Sequence, residues 1–362
     1  MPDPPLDSLI EVLPGRRLRI KHWPICEDSS STLLLVHGSG AKLDQFEPLV
    51  GIISQNGGAL GSGKVGEVVA FDYLGCGGSD KPDDWDAYAT PRLVDDLTAI
   101  YTQFCRRPGK KIIMGHSFGT SLILEMVAGL PEGQMPAAIV LLGSDLSRDF
   151  SSQRSKYDRP DHILRELQPA NSRAFADVAV HPDAIGGALY RSLIDHYNSN
   201  PLHTVRAFTC QKRWASAAQV AAVSASAVPA LLITGAADRI TTVAEGAALA
   251  AALQNASGEG DGDGERGNDD LDAGGGCPAK SGGGGKKNGS SGRRGSNGSG
   301  DDGNDAGSGV SGGGGKRGSG GKRGGGAAQF EVVEGAGHQV HQERPAEVHR
   351  LVNDFLAARD LH

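Results

Sequence analysis

The chain has 362 residues, of which 38% are hydrophobic, and this is enough apolar material for one large domain or two ordinary ones. Aspartate and glutamate outnumber lysine and arginine by 43 to 36, so the formal net charge at pH 7 is −7. A mildly acidic protein is poorly suited to binding nucleic acid or an anionic membrane by electrostatic attraction.

The first predicted element is an antiparallel hairpin at the edge of a sheet, over Glu11–Ile20, where apolar and polar residues alternate around a Pro-Gly turn. Short, mostly continuous apolar runs then predict strands that are covered on both faces, as in a parallel α/β sheet. These runs are Leu33–His37, Val68–Asp72, Lys111–Gly115, Ala138–Leu142, Leu231–Gly235 and Phe330–Glu334.

Helices are predicted between these strands. Apolar residues recur at helical spacing over Thr90–Cys105 and again after Pro345. The polar-rich, mainly helical residues 147–228 interrupt the strand–helix alternation, so we expect them to form a cap inserted into the sheet domain. Residues 1–146, 229–257 and 327–362 are assigned to the core of that domain.

A glycine-rich stretch separates the last two core segments. Residues 258–326 contain 30 of the 54 glycines and no Phe, Tyr, Trp, Ile or Met, so they are predicted to be a disordered insertion. Their ten acidic and ten basic residues balance, and without aromatic residues or excess charge they are not expected to bind RNA. A helix-to-strand connection lies at the amino edge of such a sheet, away from its carboxyl edge.

The sequence from Gly115 to Gly119 reads Gly-His-Ser-Phe-Gly and lies between an apolar strand and a helical run. A tight strand-to-helix turn strains its central residue and requires small residues two positions away on each side. We therefore predict that Ser117 is a nucleophile, exposed at the carboxyl edge of the sheet beside a helix N-terminus.

A serine hydroxyl needs a base near neutral pH, and His338 is the predicted base because it follows the last strand in Gly-Ala-Gly-His. The acid that orients it should follow an earlier strand. Asp238 fits the chain order serine, acid, histidine, and Asp145, one strand earlier, is the alternative. The backbone N–H groups of Ser39 and Phe118 are predicted to bind the oxyanion.

Taken in order, these motifs resemble the α/β-hydrolase superfamily, and the resemblance covers all 293 residues outside the glycine-rich stretch. Asp72–Ser79 is similar to the DxxGxGxS loop of the branch that contains epoxide hydrolases, dehalogenases and small esterases. The first two use an aspartate nucleophile, so Ser117 argues against both activities. Glu11–His22 and Gly335–Pro345 resemble the abhydrolase domain-containing proteins, particularly the protein 8 group. Related members carry an HxxxxD motif, at whose last position this chain has Glu343.

The resemblance and the motifs predict a serine hydrolase that cleaves small-molecule carboxylic esters, with lipid or other apolar acyl groups. An acyltransferase and a non-catalytic binding protein are the alternatives. Tyr190–Trp214 of the cap could line the acyl pocket, and the apolar candidates there are Leu193, Tyr197, Val205, Phe208 and Trp214.

Neither a metal nor an organic cofactor is predicted, and the five cysteines lack the spacing of a zinc site. No apolar run approaches the roughly 20 residues that span a bilayer, and no secretory signal is recognised. We therefore expect an intracellular, cytoplasmic protein in transient contact with membranes at most. Neither the organelle nor the oligomeric state follows from the sequence.

Overall fold

The computed structural model describes residues 5–106, 108–146, 154, 156–254 and 328–360, all of which belong to one compact unit. The glycine-rich residues 258–326, and with them the predicted disorder, lie outside the described residues. The same holds for residues 147–153 at the start of the predicted cap.

A central sheet of eight strands has the order β1-β2-β6-β3-β7-β8-β9-β10. The pairs β1/β2 and β2/β6 are antiparallel and the remaining pairs are parallel. The strands are β1 (Leu6–Leu13), β2 (Arg16–Pro24), β3 (Thr32–Val36), β6 (Glu67–Phe71), β7 (Lys111–His116), β8 (Ala138–Leu142), β9 (Ala230–Gly235) and β10 (Ala328–Val333). A separate small hairpin pairs β4 (Ala59–Leu60) with β5 (Gly63–Lys64).

Helices cover both faces of the sheet and also form the segment between β8 and β9. The α-helices with described bounds are α1 (Glu47–Gln55), α2 (Thr90–Phe104), α3 (Phe118–Gly129), α4 (Asp161–Ala179), α5 (Ala188–Ser199), α6 (Leu202–Gln211), α7 (Ala217–Ala225), α8 (Val243–Gln254), α9 (Val340–Glu343) and α10 (Pro345–Ala357). Helices α2, α3, α7 and α8 pack on one face, and α1 and α10 pack on the other.

The mostly parallel α/β sheet flanked by helices confirms the predicted fold class. In β3, Leu33 and Leu35 enter the core on one face while Leu34 and Val36 enter the core on the other, and all four are fully buried. This is why the strand is continuously apolar rather than alternating. The edge hairpin is also confirmed, with β1 and β2 paired across the turn that contains Gly15.

The segments on either side of the glycine-rich stretch lie in contact with each other. Ala328 begins β10 and pairs with Ala230, the first residue of β9, so the chain re-enters the sheet at its amino edge. The Gln254 side chain, at the end of α8, donates a hydrogen bond of 2.8 Å to the Ala328 carbonyl.

The described part of the chain contains no helix with the length and apolarity that a membrane crossing needs.

Candidate active site

Ser117 occupies a sharp turn between β7 and α3. Its backbone has φ 52° and ψ −125°, a conformation that is strained for a residue with a side chain. A Cβ atom on Gly119 would lie 2.5 Å from the carbonyl oxygens of Val36 and His37, so no side chain fits at that position. The turn presents a half-buried Ser117 at the carboxyl edge of the sheet, as its motif predicts.

Asp238 and His338 meet at the same edge, after β9 and β10. The imidazole Nδ1–H of His338 donates to Asp238 Oδ2 at 2.8 Å, and the side chains are 1% and 0% exposed. Because a carboxylate only accepts hydrogen bonds, it fixes the proton on Nδ1 and leaves Nε2 as the basic nitrogen. The two groups lie 100 residues apart in sequence, and the parallel pairing of β9 with β10 joins them.

Local backbone groups hold the Asp238 carboxylate in place. Its Oδ1 accepts from the N–H groups of Ile240 and Thr241 at 2.8 and 2.9 Å, and the Thr241 hydroxyl donates to Oδ2 at 2.8 Å. Burial raises the pKa of Asp238, but attraction to His338 and these hydrogen bonds outweigh it and lower the pKa below its ordinary value. The carboxylate therefore stays ionised opposite the imidazole.

Asp145, the alternative acid, is buried after β8. The hydrogen-bond partners of the His338 imidazole in the described structure are Asp238 and, at 3.3 Å, Thr241, so Asp145 is not one of them. Of the two candidates, Asp238 is the one in contact with the histidine.

No described residue forms a hydrogen bond with the Ser117 hydroxyl, and none therefore joins it to His338. The neighbouring His116 turns away from the hydroxyl, and its Nε2–H donates to the His338 carbonyl at 2.9 Å. Such a serine–histidine bond is often long in a ligand-free enzyme and shortens when the substrate is bound.

The loop after β3 lies directly against Ser117. A Cβ atom on Gly38 would stand 3.2 Å from the Ser117 Cβ. Within the described ranges, the N–H groups of Ser39 and Phe118 have no backbone hydrogen-bond partner, which leaves them free for a ligand. His37 anchors the loop, since its Nδ1–H donates to the Gly38 carbonyl at 2.7 Å and its Nε2 accepts from a backbone N–H at 3.1 Å.

Two side chains of α5, and the side chain of the residue that follows it, hold this loop. The Tyr197 hydroxyl donates to the Ser39 carbonyl at 2.6 Å. The Gly40 carbonyl accepts from His196 Nε2–H at 2.8 Å and from the Asn200 amide at 3.1 Å. The position of the loop therefore depends on the helices between β8 and β9.

An aromatic cluster lies next to Ser117. The Phe118 ring has centroid distances of 5.4 Å to Phe208 and 6.1 Å to Trp214, both in edge-to-face geometry. Leu193 instead belongs to the small core formed by α4 and α5. Phe208 and Trp214, both predicted to line an acyl pocket, thus pack against the residue following Ser117.

Three further histidines near the site are buried and neutral. Burial lowers the pKa of His37 to about 4 and holds that of His116 well below its ordinary value. His341 is fully buried, its ring lies 4.5 Å from His116 and 5.1 Å from Phe46, and burial lowers its pKa to about 3. The His116 ring also lies 4.8 Å from the His338 ring, and none of the three histidines titrates near neutral pH.

The loop that resembles DxxGxGxS folds around the Asp72 carboxylate. Asp72 Oδ1 accepts from the Leu43 N–H at 2.6 Å and Oδ2 from the Gly78 N–H at 2.8 Å. The Ser79 hydroxyl donates to the Asp72 carbonyl at 2.6 Å. The motif is therefore explained by the structure of this loop.

Among the residues with described positions, no group of three or more His, Cys, Asp and Glu side chains is placed to hold a metal ion.

Three site residues have roles that the sequence does not reveal. Thr241 supports Asp238, and only its position three residues later hints at this, since an aspartate often accepts from the backbone N–H groups that follow it. Tyr197 holds the loop at Ser39. Glu343 accepts hydrogen bonds from two segments of backbone.

Comparison with known proteins relates the chain to hydrolases. A sequence profile described as the alpha/beta hydrolase family matches residues 33–262. Protein ABHD8 of Mus musculus is 25% identical over 223 residues, which are 61% of this chain and 47% of that protein. Protein ABHD8 of Bos taurus is 25% identical over 247 residues, which are 66% and 54% of the two chains. The chain spans about half the length of these curated relatives.

Solved structures share the fold at low sequence identity. A thermophilic esterase from Thermogutta terrifontis has a TM-score of 0.63 at 14% identity, with 99% of this chain and 100% of that chain covered. The esterase RhEst1 from Rhodococcus has a TM-score of 0.62 at 14% identity, with 99% of each chain covered. A putative aryl esterase from Burkholderia cenocepacia has a TM-score of 0.63 at 16% identity, with 98% of each chain covered.

Proposed function

The chain belongs to the alpha/beta hydrolase family, and on that premise we propose that it is a serine hydrolase that cleaves carboxylic esters with apolar acyl groups. The observation that carries the proposal is the buried Asp238–His338 pair at 2.8 Å, at the sheet edge where the strained turn presents Ser117. A buried carboxylate that fixes the tautomer of an imidazole beside a serine is the arrangement that serine activation requires.

In the proposed reaction, Ser117 Oγ attacks the ester carbonyl carbon while His338 Nε2 takes the hydroxyl proton. The N–H groups of Phe118 and Ser39 bind the oxyanion of the tetrahedral intermediate. His338 then gives the proton to the leaving alcohol, which departs and leaves an acyl group on Ser117. Water, deprotonated by His338, attacks this acyl-enzyme and releases the carboxylic acid, and Asp238 remains ionised throughout.

The aromatic cluster of Phe118, Phe208 and Trp214 supports an apolar acyl group as the substrate part nearest to Ser117. Because Phe118 is both the proposed oxyanion donor and a member of this cluster, an acyl chain bound there would lie directly beside the carbonyl under attack. Esterases share this fold, which is consistent with the ester chemistry proposed for this chain.

Labelling with a fluorophosphonate probe tests the nucleophile. We expect the parent protein to be labelled and Ser117→Ala not to be. Ser144→Ala is the matched control, since Ser144 is a buried serine after β8 whose hydroxyl bonds to Thr120, and it should still be labelled.

Hydrolysis of p-nitrophenyl esters of increasing acyl length tests the substrate. We expect kcat/KM to rise from acetate to medium-chain acyl groups, because each methylene buried against the aromatic cluster contributes about 0.8 kcal/mol.

Labelling that is equal in the parent and Ser117→Ala, or absent from both, would refute the serine-hydrolase proposal. A flat or falling chain-length profile would refute the apolar acyl group alone.

A further inference from the structure

One carboxylate bridges the loop that carries His338 and the helical segment between β8 and β9. Glu343, at the end of α9, accepts from the Gly337 N–H at 2.8 Å through Oε2. Through Oε1 it accepts from the His181 N–H at 2.6 Å. Gly337 directly precedes His338, and His181 follows the end of α4. Both oxygens are therefore committed to backbone donors from two distant parts of the chain.

The same two segments touch on the other side of His338. The Gln339 N–H donates to the Ala179 carbonyl at 3.1 Å. A Cβ atom on Gly337 would lie 2.6 Å from the Val180 carbonyl carbon, so only glycine permits this approach. Gly337 and Gln339, which flank His338, thus both contact residues 179–181.

We propose that Glu343 is a positioning residue that links the position of residues 179–181 to the position of the His338 imidazole. This rests on the function proposed above. Hydrogen bonds to a carboxylate are roughly twice as strong as those between neutral groups, so the two bonds of Glu343 are a strong link between the two segments. Glu343 is not a hydrogen-bond partner of the His338 ring, whose contacts are made by Asp238 and Thr241, and it therefore acts through the loop.

The chemistry of the bridge requires two acceptors. A carboxylate offers an oxygen to each N–H, whereas the glutamine amide offers one oxygen and an NH₂ group that faces the second donor. Glu343→Gln therefore keeps the size of the side chain and breaks one of the two links. Because an error of about 1 Å in the position of a catalytic group costs on the order of a hundredfold in rate, a small shift of the loop is measurable.

The first experiment compares Glu343→Gln with Glu347→Gln, the same change at a partly exposed residue of α10 that pairs with Arg350 at 2.7 Å. For Glu343→Gln we expect kcat for p-nitrophenyl butyrate to fall on the order of ten- to a hundredfold, with KM nearly unchanged. Amide hydrogen exchange should accelerate in the peptides covering 335–341 and 179–184. Glu347→Gln should match the parent in both measurements.

A second variant breaks the bridge from the opposite side. His181 has φ −56°, which proline adopts without strain, so His181→Pro removes the N–H donor and leaves the His338 loop intact in sequence. We expect it to reproduce the loss of kcat and the faster exchange at 335–341. His181→Ala keeps the N–H and removes the imidazole, and its smaller effect would assign the loss to the N–H.

Each outcome decides the proposal. Parent-like kcat and exchange in both Glu343→Gln and His181→Pro would overturn it, as would a loss of activity in Glu343→Gln without faster exchange at 335–341. If the parent hydrolyses no ester, the proposed function fails, and the exchange measurement still decides the coupling. Faster exchange at both segments in the two bridge variants, and not in Glu347→Gln, would then support it.

Discussion

Replacing Asp238 by asparagine tests how the histidine is oriented. The asparagine oxygen can still accept from the Ile240 and Thr241 N–H groups, as Oδ1 does at 2.8 and 2.9 Å. An NH₂ group then stands where Oδ2 accepts from His338 Nδ1–H at 2.8 Å. Two donors cannot face each other, so the imidazole is driven to the tautomer with its proton on Nε2. In the proposed reaction, that nitrogen can then no longer take the proton of Ser117.

The size of the effect follows from this change of tautomer. In serine–histidine–aspartate enzymes, the same substitution preserves the geometry and lowers kcat by on the order of 10⁴-fold. That factor corresponds to about 5 kcal/mol of transition-state stabilisation. The lost hydrogen bond to a charged group also lowers the free energy of unfolding by about 1.5–3 kcal/mol. A loss of activity far larger than the loss of stability is therefore expected.

The assay measures kcat for p-nitrophenyl butyrate and thermal unfolding for the parent, Asp238→Asn and Asp145→Asn. Asp145 is the matched control because it is also a buried aspartate after a strand of the same sheet and is not a partner of His338. Asp238→Asn should stay folded and lose nearly all activity. Activity within tenfold of the parent in Asp238→Asn, together with its loss in Asp145→Asn, would show that the reasoning is wrong.

Three further outcomes are expected. Tyr197→Phe removes the hydroxyl that holds the Ser39 carbonyl and should lower kcat by at most about tenfold; Tyr190→Phe, on the same helix but bonded to an aspartate away from this loop, should match the parent in the same ester assay. Replacing residues 258–326 by a five-residue Gly/Ser linker should leave kcat unchanged and raise the free energy of unfolding by about 2 kcal/mol, because a shorter loop costs less to close; a large fall in kcat in a folded variant would contradict this. Folding lowers the pKa of Asp238, so its ionised form stabilises the folded protein at pH values above the unfolded pKa of 3.8, and this contribution is lost as the pH falls through the lower folded pKa. The difference in melting temperature between the parent and Asp238→Asn should therefore narrow as the pH falls below about 4. A difference that does not change with pH would refute the lowered pKa of Asp238 in the folded state.

The sheet and the turn at Ser117 were predictable because both are local. A strand such as Ala138–Leu142, buried on both faces, must be apolar at every position, and the structure gives it the predicted bounds. The turn needs small residues two positions from the serine on either side, so five consecutive residues predict its backbone. The observed φ of 52° at Ser117 confirms that prediction.

The choice between Asp238 and Asp145 was not local. Both are aspartates after buried strands of the same parallel sheet, and chain order only favoured one of them. Their relation to His338 depends on where β10 is added to the sheet and on how the loop after it bends. The structure places β10 beside β9, and the Nδ1–H of His338 meets Asp238.

The sequence by itself therefore determined the α/β architecture, the strained serine and the order of the motifs, since burial periodicity and turn chemistry are written in short stretches of chain. Only the tertiary structure decided which acid contacts the histidine, that Tyr197 holds the loop at Ser39, and that Glu343 joins the His338 loop to residues 179–181. Such contacts join side chains and backbone groups far apart in sequence. They exist only once the strand order and the approach of the helices between β8 and β9 bring those groups within hydrogen-bonding distance.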